Sequence, residues 1–214
     1  MKLKKCISIL ASTFLFLTVS AKAEMGIGIT GAYHMMGGDG SETTRQSGEV
    51  NNGSVDENVV VPEVFVEAVA DSGLAFGFSY IPTRELGNKS RTDTSAATGQ
   101  ESGTYTAKAE LDNVFQIYSD LPVTDTLYLK LGIQHVTVST LESLNSGSEY
   151  PNEDLLGYTA GLGTKGDLPY GNNLYYKAEV TYTNFETYEK VSNGNKVVAD
   201  LDDVAAKLSI GYKF

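Results

Sequence analysis

Three things are scarce in this 214-residue sequence: cysteine, positive charge and long apolar runs. Its one cysteine, Cys6, lies within the first 23 residues, so the remainder can form neither disulfides nor thiol-based sites. After residue 23, no apolar run approaches the ~20 residues that a transmembrane helix needs. With 41% hydrophobic residues, the chain is nevertheless too apolar to be disordered.

Positive charge becomes scarcer still once the N-terminal segment is set aside. Four of the 16 Lys and Arg residues precede Glu24, and none of the 27 Asp and Glu residues does. From Glu24 onward, 12 bases therefore stand against 27 acids, a net charge of −15. A field of this sign disfavours nucleic acids and anionic membrane surfaces as partners.

The first 23 residues have the three parts of a secretory signal peptide. Three lysines occur among the first five residues, residues 7–19 are mostly apolar, and Ala21 and Ala23 form the Ala-x-Ala pattern of a cleavage site. The alternative is a retained N-terminal anchor, for which the apolar part is short. We expect a cleaved signal peptide at 1–23 and a single domain at 24–214.

From Glu24 onward, apolar and polar residues alternate with the period of two that is typical of β-strands. The last segment is the clearest, because every second residue from Val204 to Phe214 is apolar. The alternation predicts eight strands, at 25–36, 60–70, 74–82, 105–118, 127–139, 155–166, 174–187 and 203–214. The register of the fourth is left open, because Asn113 falls on its apolar face, with Leu111, Phe115 and Ile117.

The connectors between these strands alternate strictly between long and short. The short ones are 71–73, 119–126 and 167–173; the long, polar ones are 37–59, 84–104, 141–154 and 188–202. In an up-and-down barrel, successive connectors lie at opposite ends, and outer-membrane barrels combine short periplasmic turns with long extracellular loops. The sequence therefore predicts an all-β, eight-stranded antiparallel transmembrane barrel. Its long connectors are expected to be solvated, mobile surface loops.

A soluble barrel would show the same alternation with its apolar face inside. Here the polar faces are rich in Gly, Ser, Thr and single charges, which suits a crowded lumen. The apolar faces end in aromatic residues that suit an interfacial girdle, such as Tyr33, Tyr80, Tyr158, Tyr182 and Tyr212. These features favour the membrane barrel. A soluble secreted β-barrel that binds a ligand remains an alternative.

The C-terminal segment LSIGYKF resembles the last strand of outer-membrane proteins, which ends in an aromatic residue. This resemblance implies that Tyr212 and Phe214 form the signal that the barrel-assembly machinery recognises. The stretch LDNVFQIYSDLP followed by TLYLKLGIQ resembles a hairpin of opacity-type, OmpA-like small barrels. The resemblance implies a bacterial outer-membrane protein surrounded by outer-membrane lipid. We expect a monomer.

Charges of both signs lie on the predicted polar faces, and they must pair wherever they cannot reach water. An eight-stranded barrel has an interior only wide enough for side chains. The prediction is a lumen charge network of Glu63, Glu67, Lys108, Glu110, Lys130, Lys177, Glu179 and Lys207. Such a network would close the barrel, although a narrow charge-lined channel would use the same residues.

Three functions remain open. The favoured one is a structural anchor that displays acidic loops, such as GDGSE at 38–42, to an unidentified extracellular partner. The others are a narrow porin-like channel for ions or very small solutes and a lipid- or polymer-modifying enzyme. The two histidines, His34 and His135, have no second ligand type at a metal-like spacing and are expected near a membrane interface. We therefore predict no catalytic, cofactor or metal site.

Overall fold

The structure, a computed structural model, describes residues 23–45, 48–93, 103–143, 150–169 and 173–214. Most of the predicted signal segment, with Ala21, lies outside these ranges. The regular elements within them are ten strands: β1 (Glu24–Thr43), β2 (Val50–Val69), β3 (Ala75–Ile81), β4 (Arg84–Asp93), β5 (Gly103–Pro122), β6 (Leu127–Ser143), β7 (Glu153–Asp167), β8 (Leu174–Phe185), β9 (Tyr188–Ser192) and β10 (Asn195–Lys213). In these parts of the chain, no helix is long and apolar enough to cross a membrane.

These strands form the eight walls of a closed antiparallel barrel. β3 and β4 share one wall, since both pair with β5, and the wall is interrupted at Pro82, which cannot donate a backbone hydrogen bond. β8 and β9 likewise share a wall against β10. β1 pairs with β2 on one side and with β10 on the other, which closes the barrel. The predicted all-β, eight-stranded antiparallel barrel is confirmed.

Near the short turns, the outer surface of the barrel is apolar. On β1, alternate residues such as Ile27 and Ile29 are more than half exposed, whereas Thr30 and His34, on the opposite face, are buried. The apolar outward band on β1 runs from Met25 to Met35, and its length fits the 9–11 residues that a tilted strand needs to cross a bilayer. We call this part of the barrel the lipid-facing zone; it comprises 25–35, 60–69, 75–81, 114–121, 127–136, 156–166, 174–183 and 204–214.

The strands continue well beyond the lipid-facing zone. β1 and β2 stay paired out to Thr43 and Val50, and β4 pairs with β5 out to Asp93 and Gly103. Between β9 and β10, Asn193 and Gly194 form a two-residue turn with φ of 49° and 84°, the geometry that an Asn-Gly hairpin provides. We call this part the projecting zone; it comprises 36–43, 50–59, 84–93, 103–112, 137–143, 185–192 and 195–203.

The expectation of mobile loops at 37–59, 84–104, 141–154 and 188–202 is therefore wrong for most of their described residues. Pairing between strands satisfies the backbone N–H and C=O groups of these segments, so the backbone does not depend on hydrogen bonds to water. The residues 46–47, 94–102 and 144–149 lie outside the described parts of the chain.

An irregularity in β5 explains the ambiguous register of the fourth predicted strand. The β5–β6 ladder shifts between Asp112 and Phe115, and Asn113 has a φ of 50°. A bulge of this kind inserts extra residues on one strand and resets which side chains face inward. Leu111 consequently lies inside the barrel at 1% exposure, while Phe115 and Ile117 face out. The placement of Leu111 on the outer face was wrong.

Candidate functional site

The lumen of the lipid-facing zone holds a chain of alternating charges. The Lys177 ammonium lies 2.5 Å from Asp120 Oδ2 and 2.9 Å from Glu67 Oε2. The Lys130 ammonium lies 3.0 Å from Asp120 Oδ1 and 2.9 Å from Glu179 Oε1. All five side chains are buried, so each lysine is compensated by two carboxylates rather than by water. We call these residues the lower cluster.

Three tyrosines complete the hydrogen bonding of the two glutamates in the lower cluster. Tyr118 and Tyr175 donate to Glu67 over 2.8 and 2.7 Å, and Tyr128 donates to Glu179 over 2.7 Å. Each glutamate therefore accepts from a phenol as well as meeting an ammonium group, which offsets the cost of burying its charge.

Inward-facing glycines make room for these aromatic rings. A Cβ atom on Gly77 would overlap the Tyr118 ring, and one on Gly163 would overlap the Tyr128 ring. Both glycines lie on strands next to those of their tyrosines. The glycine-rich polar faces of the sequence thus allow large side chains to fill a narrow interior.

A second charged cluster lies further along the lumen, at the border with the projecting zone. The Lys207 ammonium lies 2.8 and 3.1 Å from the two carboxylate oxygens of Glu63. His34 bridges two acids, with Nδ1 at 2.7 Å from Asp203 Oδ2 and Nε2 at 3.3 Å from Glu63 Oε1. A guanidinium nitrogen of Arg84 lies 3.5 Å from Asp203 Oδ2. These five residues form the upper cluster.

Beyond the upper cluster, apolar side chains fill the interior. They come from almost every wall of the barrel, and all are at most 5% exposed. They are Met36, Val61, Ile81, Leu111, Val114, Val136, Val138, Leu155, Phe185, Tyr188 and Leu201. This apolar cluster resembles the core of a soluble β-barrel, with polar side chains on the opposite, outer face.

Little free space remains in the charged part of the lumen. A cavity of about 10 Å³ lies between the two charged clusters, bordered by side chains such as Phe65, Tyr118 and Lys207. This volume accommodates about one water molecule at most. The two charged clusters and the apolar cluster therefore follow one another along the barrel axis, and each of them fills the lumen.

The structure places six of the eight predicted lumen residues in these clusters: Glu63, Glu67, Lys130, Lys177, Glu179 and Lys207. The prediction was wrong for Lys108 and Glu110, because the β5 bulge puts both on the face opposite Leu111. There the Lys108 ammonium lies 2.5 Å from Glu110 Oε1 and 3.2 Å from Glu85 Oε2. Hydrogen bonds to these two carboxylates raise the pKa of Lys108.

Four residues of the clusters escaped the sequence prediction: His34, Arg84, Asp120 and Asp203. Asp120 was assigned to a turn, although it continues the inward alternation of Gln116 and Tyr118. His34 was expected near a membrane interface; it lies at the border of the lipid-facing zone, but its side chain faces into the barrel and is 1% exposed, because it lies on the same face as Thr30. His135, by contrast, has a half-exposed side chain 3.8 Å from Asp154 Oδ1.

The C-terminal aromatic residues lie at the lipid-facing end of β10. Tyr212 is 48% exposed and Phe214 is 70% exposed on the outer surface. The backbone N–H of Phe214 donates to the Met25 carbonyl over 2.8 Å, which extends the pairing that closes the barrel. Recognition of Tyr212 and Phe214 during assembly remains a prediction.

The outer face of the projecting zone is acidic. Asp39 of β1 is opposite Asp200 of β10, and Gly37 lies between Asp202 and Asp56 on its two neighbouring strands. In the parts of the chain that the structure describes, no three His, Cys, Asp or Glu residues are grouped in a way that could hold a metal ion.

Together, the closed barrel, the apolar outer band and the ion-paired lumen define an eight-stranded β-barrel of the outer-membrane type. Neither a family model nor a curated protein matches the sequence. Solved structures with a similar fold include Neisserial surface protein A, at 12% identity over 89% of this chain and 97% of that one, with a TM-score of 0.42.

Two further solved structures are similar at the same level. The outer membrane protein AlkL shares 13% identity over 90% of both chains, with a TM-score of 0.47. The outer membrane protease OmpT of Escherichia coli shares 6% identity over 91% of this chain and 99% of that one, with a TM-score of 0.48. Likenesses this distant carry no conclusion about what this chain does.

Proposed function

We propose that this chain is a sealed outer-membrane anchor whose function lies in its projecting zone, which presents an acidic surface outside the cell. In this proposal, the chain is exported by a signal peptide that is cleaved after Ala23. The observation that carries it is the filled lumen, in which three clusters follow one another and the two charged ones enclose a cavity of about 10 Å³ between them. The feature left for interaction is then the surface that projects beyond the lipid.

The filled lumen supports an anchor over a narrow channel. A path for ions would have to separate Lys177 from Asp120 and Glu67, or Lys207 from Glu63. Removing one partner from a buried ion pair typically costs about 3–5 kcal/mol. The path would then still have to pass the apolar cluster, which offers an ion no polar partners.

The histidines also support a protein that is not an enzyme. The contact between His34 and Asp203 has the geometry of an oriented general base, but both side chains are enclosed and the adjoining cavity cannot hold a substrate. His135 is more accessible, and Asp154 is 3.8 Å away, beyond hydrogen-bond reach. Neither arrangement includes a nucleophile beside an accessible base.

Conductance of the purified protein in planar bilayers tests this proposal. Wild type should stay closed, and so should Lys207→Ala, because the apolar cluster lies in series with the ion pair that this change removes. Lys207→Ala combined with Phe185→Ala should open briefly, because both clusters are then weakened. Lys213→Ala, which removes a lysine paired with Asp167 near the turns, is the control and should stay closed. Large, stable openings of the wild type would reject the sealed anchor and favour a channel.

A further inference from the structure

The wall of the barrel is not hydrogen-bonded all the way round in the projecting zone. β2 pairs with β1 over all 20 of its residues, but it pairs with β3 only over Val64–Val69. Residues 50–63 of β2 therefore have a ladder on one side only. Pro62 lies in this segment, as expected for a strand with an open edge, since proline in sheets is confined to edge strands, strand starts and bulges.

β4 follows β3 along the same wall and lies next to this open edge of β2. It pairs with β5 on its other side, and within the described ranges no ladder joins β4 to β2. The two strands are near each other, because some of their Cα atoms lie within 8 Å. The projecting zone thus contains a seam, which we define as the gap between β2 residues 50–63 and β4 residues 84–93.

Over residues 50–61, the β2 side of the seam has few of the features that protect an open strand edge. Natural sheets guard such edges with charged side chains, especially lysines, with proline, with bulges or with a covering segment, because an open row of N–H and C=O groups recruits other strands. Residues 50–63 contain no lysine or arginine, and their ladder with β1 has no register shift. The side chains of Ser54, Asp56, Asn58 and Val60 are exposed.

The charge on this edge is negative and locally uncompensated. Asp56 and Glu57 lie on the edge strand itself, and Asp39 lies on the neighbouring β1. Among the described residues, no Lys, Arg or His side chain forms an ion pair with any of these three. Asp56 faces outward with Ser54 and Asn58, whereas Glu57 is opposite the inward-facing Met36. An extended segment that pairs with β2 would place its outward side chains beside Asp56, so lysine or arginine there would be favoured.

We propose that residues 50–61 of β2 bind an extended, basic peptide segment of a partner protein, which adds to the edge as a further strand. Backbone hydrogen bonds would supply affinity, and the acidic side chains would select the charge of the peptide. This inference rests on the proposed function, because the edge must lie outside the membrane to meet a partner.

The experiment uses the refolded barrel in lipid nanodiscs and a synthetic probe, an eight-residue peptide of alternating Lys and Val. Amide hydrogen exchange of β2 is measured by NMR with and without the peptide. Without it, exchange over residues 50–61 should be fast at alternate positions, because one set of N–H groups is bonded to β1 and the other points into the seam. With it, the fast positions should become slow.

Four controls separate strand addition from simple charge attraction. A peptide in which one central Val is replaced by Pro keeps the charge but loses a backbone donor, so its affinity should fall. A peptide of alternating Glu and Val should not bind. The variant Asp56→Lys should bind the basic peptide about fivefold more weakly, as expected for the loss of one exposed ion pair. Asp125→Lys, in the turn between β5 and β6, should bind it like the wild type.

Other outcomes would overturn the proposal. Slow exchange at every position without peptide would mean that β4 itself closes the seam, and slowing that depends on protein concentration would mean that a second copy covers the edge. If the Pro-containing peptide bound with the same affinity, charge attraction would be sufficient to explain the binding and strand addition would be rejected. Gel mobility before and after boiling is checked in the same preparation. A folded barrel that fails to bind rejects only strand addition, whereas failure to form a barrel in lipid rejects the proposed function.

Discussion

The lipid-facing and projecting zones are built from the same strands with opposite polarity. In the lipid-facing zone of β1, Ile29 faces out at 66% exposure and the polar His34 is buried inside. A few residues further along, the apolar Met36 is buried inside and Asp39 is exposed outside. The alternation of period two continues without a break across this change. The surroundings of each zone, lipid or water, therefore decide which face is polar, while the backbone geometry stays the same.

The charged and the apolar parts of the lumen also differ in what holds them together. The lower cluster consists of charges that stabilise one another, since removal of Lys177 leaves Glu67 buried without a cation and Asp120 with Lys130 alone. The apolar cluster is held by packing, in which each lost side chain has a separate cost set by the cavity it leaves. Substitutions in the two interiors should therefore have effects of different size and kind.

The largest effect on stability is expected in the lower cluster. Lys177→Ala leaves Asp120 and Glu67 buried without their shared cation, and should lower the free energy of unfolding by about 3–5 kcal/mol. Urea unfolding in lipid vesicles measures the loss. Lys213, which is partly buried and pairs with the exposed Asp167, should cost about 0–1 kcal/mol when changed to Ala. Equal losses for the two variants would mean that the lumen is wet and the charges are screened.

A loss similar in size but different in origin is expected in the apolar cluster. Leu111→Ala leaves a cavity in a packed interior and should cost about 2–5 kcal/mol. Leu208→Ala makes the same chemical change on the lipid-facing surface, where lipid fills the space that the side chain leaves. Its cost should be smaller, because there is no cavity term. A larger loss for Leu208→Ala in the same unfolding assay would contradict the assignment of Leu111 to the packed interior and of Leu208 to the lipid-facing surface.

Deletion of Phe214 should affect assembly more than stability. Its side chain is 70% exposed and makes little internal packing, and the deletion removes only two terminal backbone hydrogen bonds with Met25, so the unfolding free energy of refolded protein should change less than in the lumen variants. If the C-terminal aromatic residue is the assembly signal, the amount of barrel in the outer membrane of cells should fall. Immunoblots of membrane fractions measure that amount. Unchanged levels would count against recognition of this residue.

The smallest structural effect is expected from an insertion at the tip of the projecting zone. An epitope tag is inserted within 94–102, the segment that connects Asp93 of β4 to Gly103 of β5, the last pair of that ladder. Insertions at such tips are usually tolerated. The tag should bind antibody on intact cells. Detection only after permeabilisation would mean that the barrel has the opposite orientation, with the projecting zone inside the cell envelope.

Much of this architecture is readable from alternation and connector length, because the period of two persists in all eight walls. The exceptions each have a local cause. Asn113 shifts the register at the β5 bulge, so Leu111, Lys108 and Glu110 were assigned to the wrong faces. The long connectors were predicted to be loops because they are rich in polar residues. Their strand structure depends on hydrogen bonds to the neighbouring strand, which composition does not reveal. The Asn193-Gly194 turn was the one local signal that could have revealed such a hairpin.

The reversal of polarity along β1 is the central claim, and single-cysteine labelling tests it directly. The chain from Glu24 onward has no cysteine, so each introduced cysteine is the only reactive one after signal cleavage. Ile27→Cys, Ile29→Cys, Asp39→Cys and Ser41→Cys occupy outward positions of β1 on the two sides of Met35. In lipid vesicles, a water-soluble maleimide should label cysteines at 39 and 41 but not at 27 and 29. Equal labelling at all four positions would contradict a lipid-facing zone that ends at Met35.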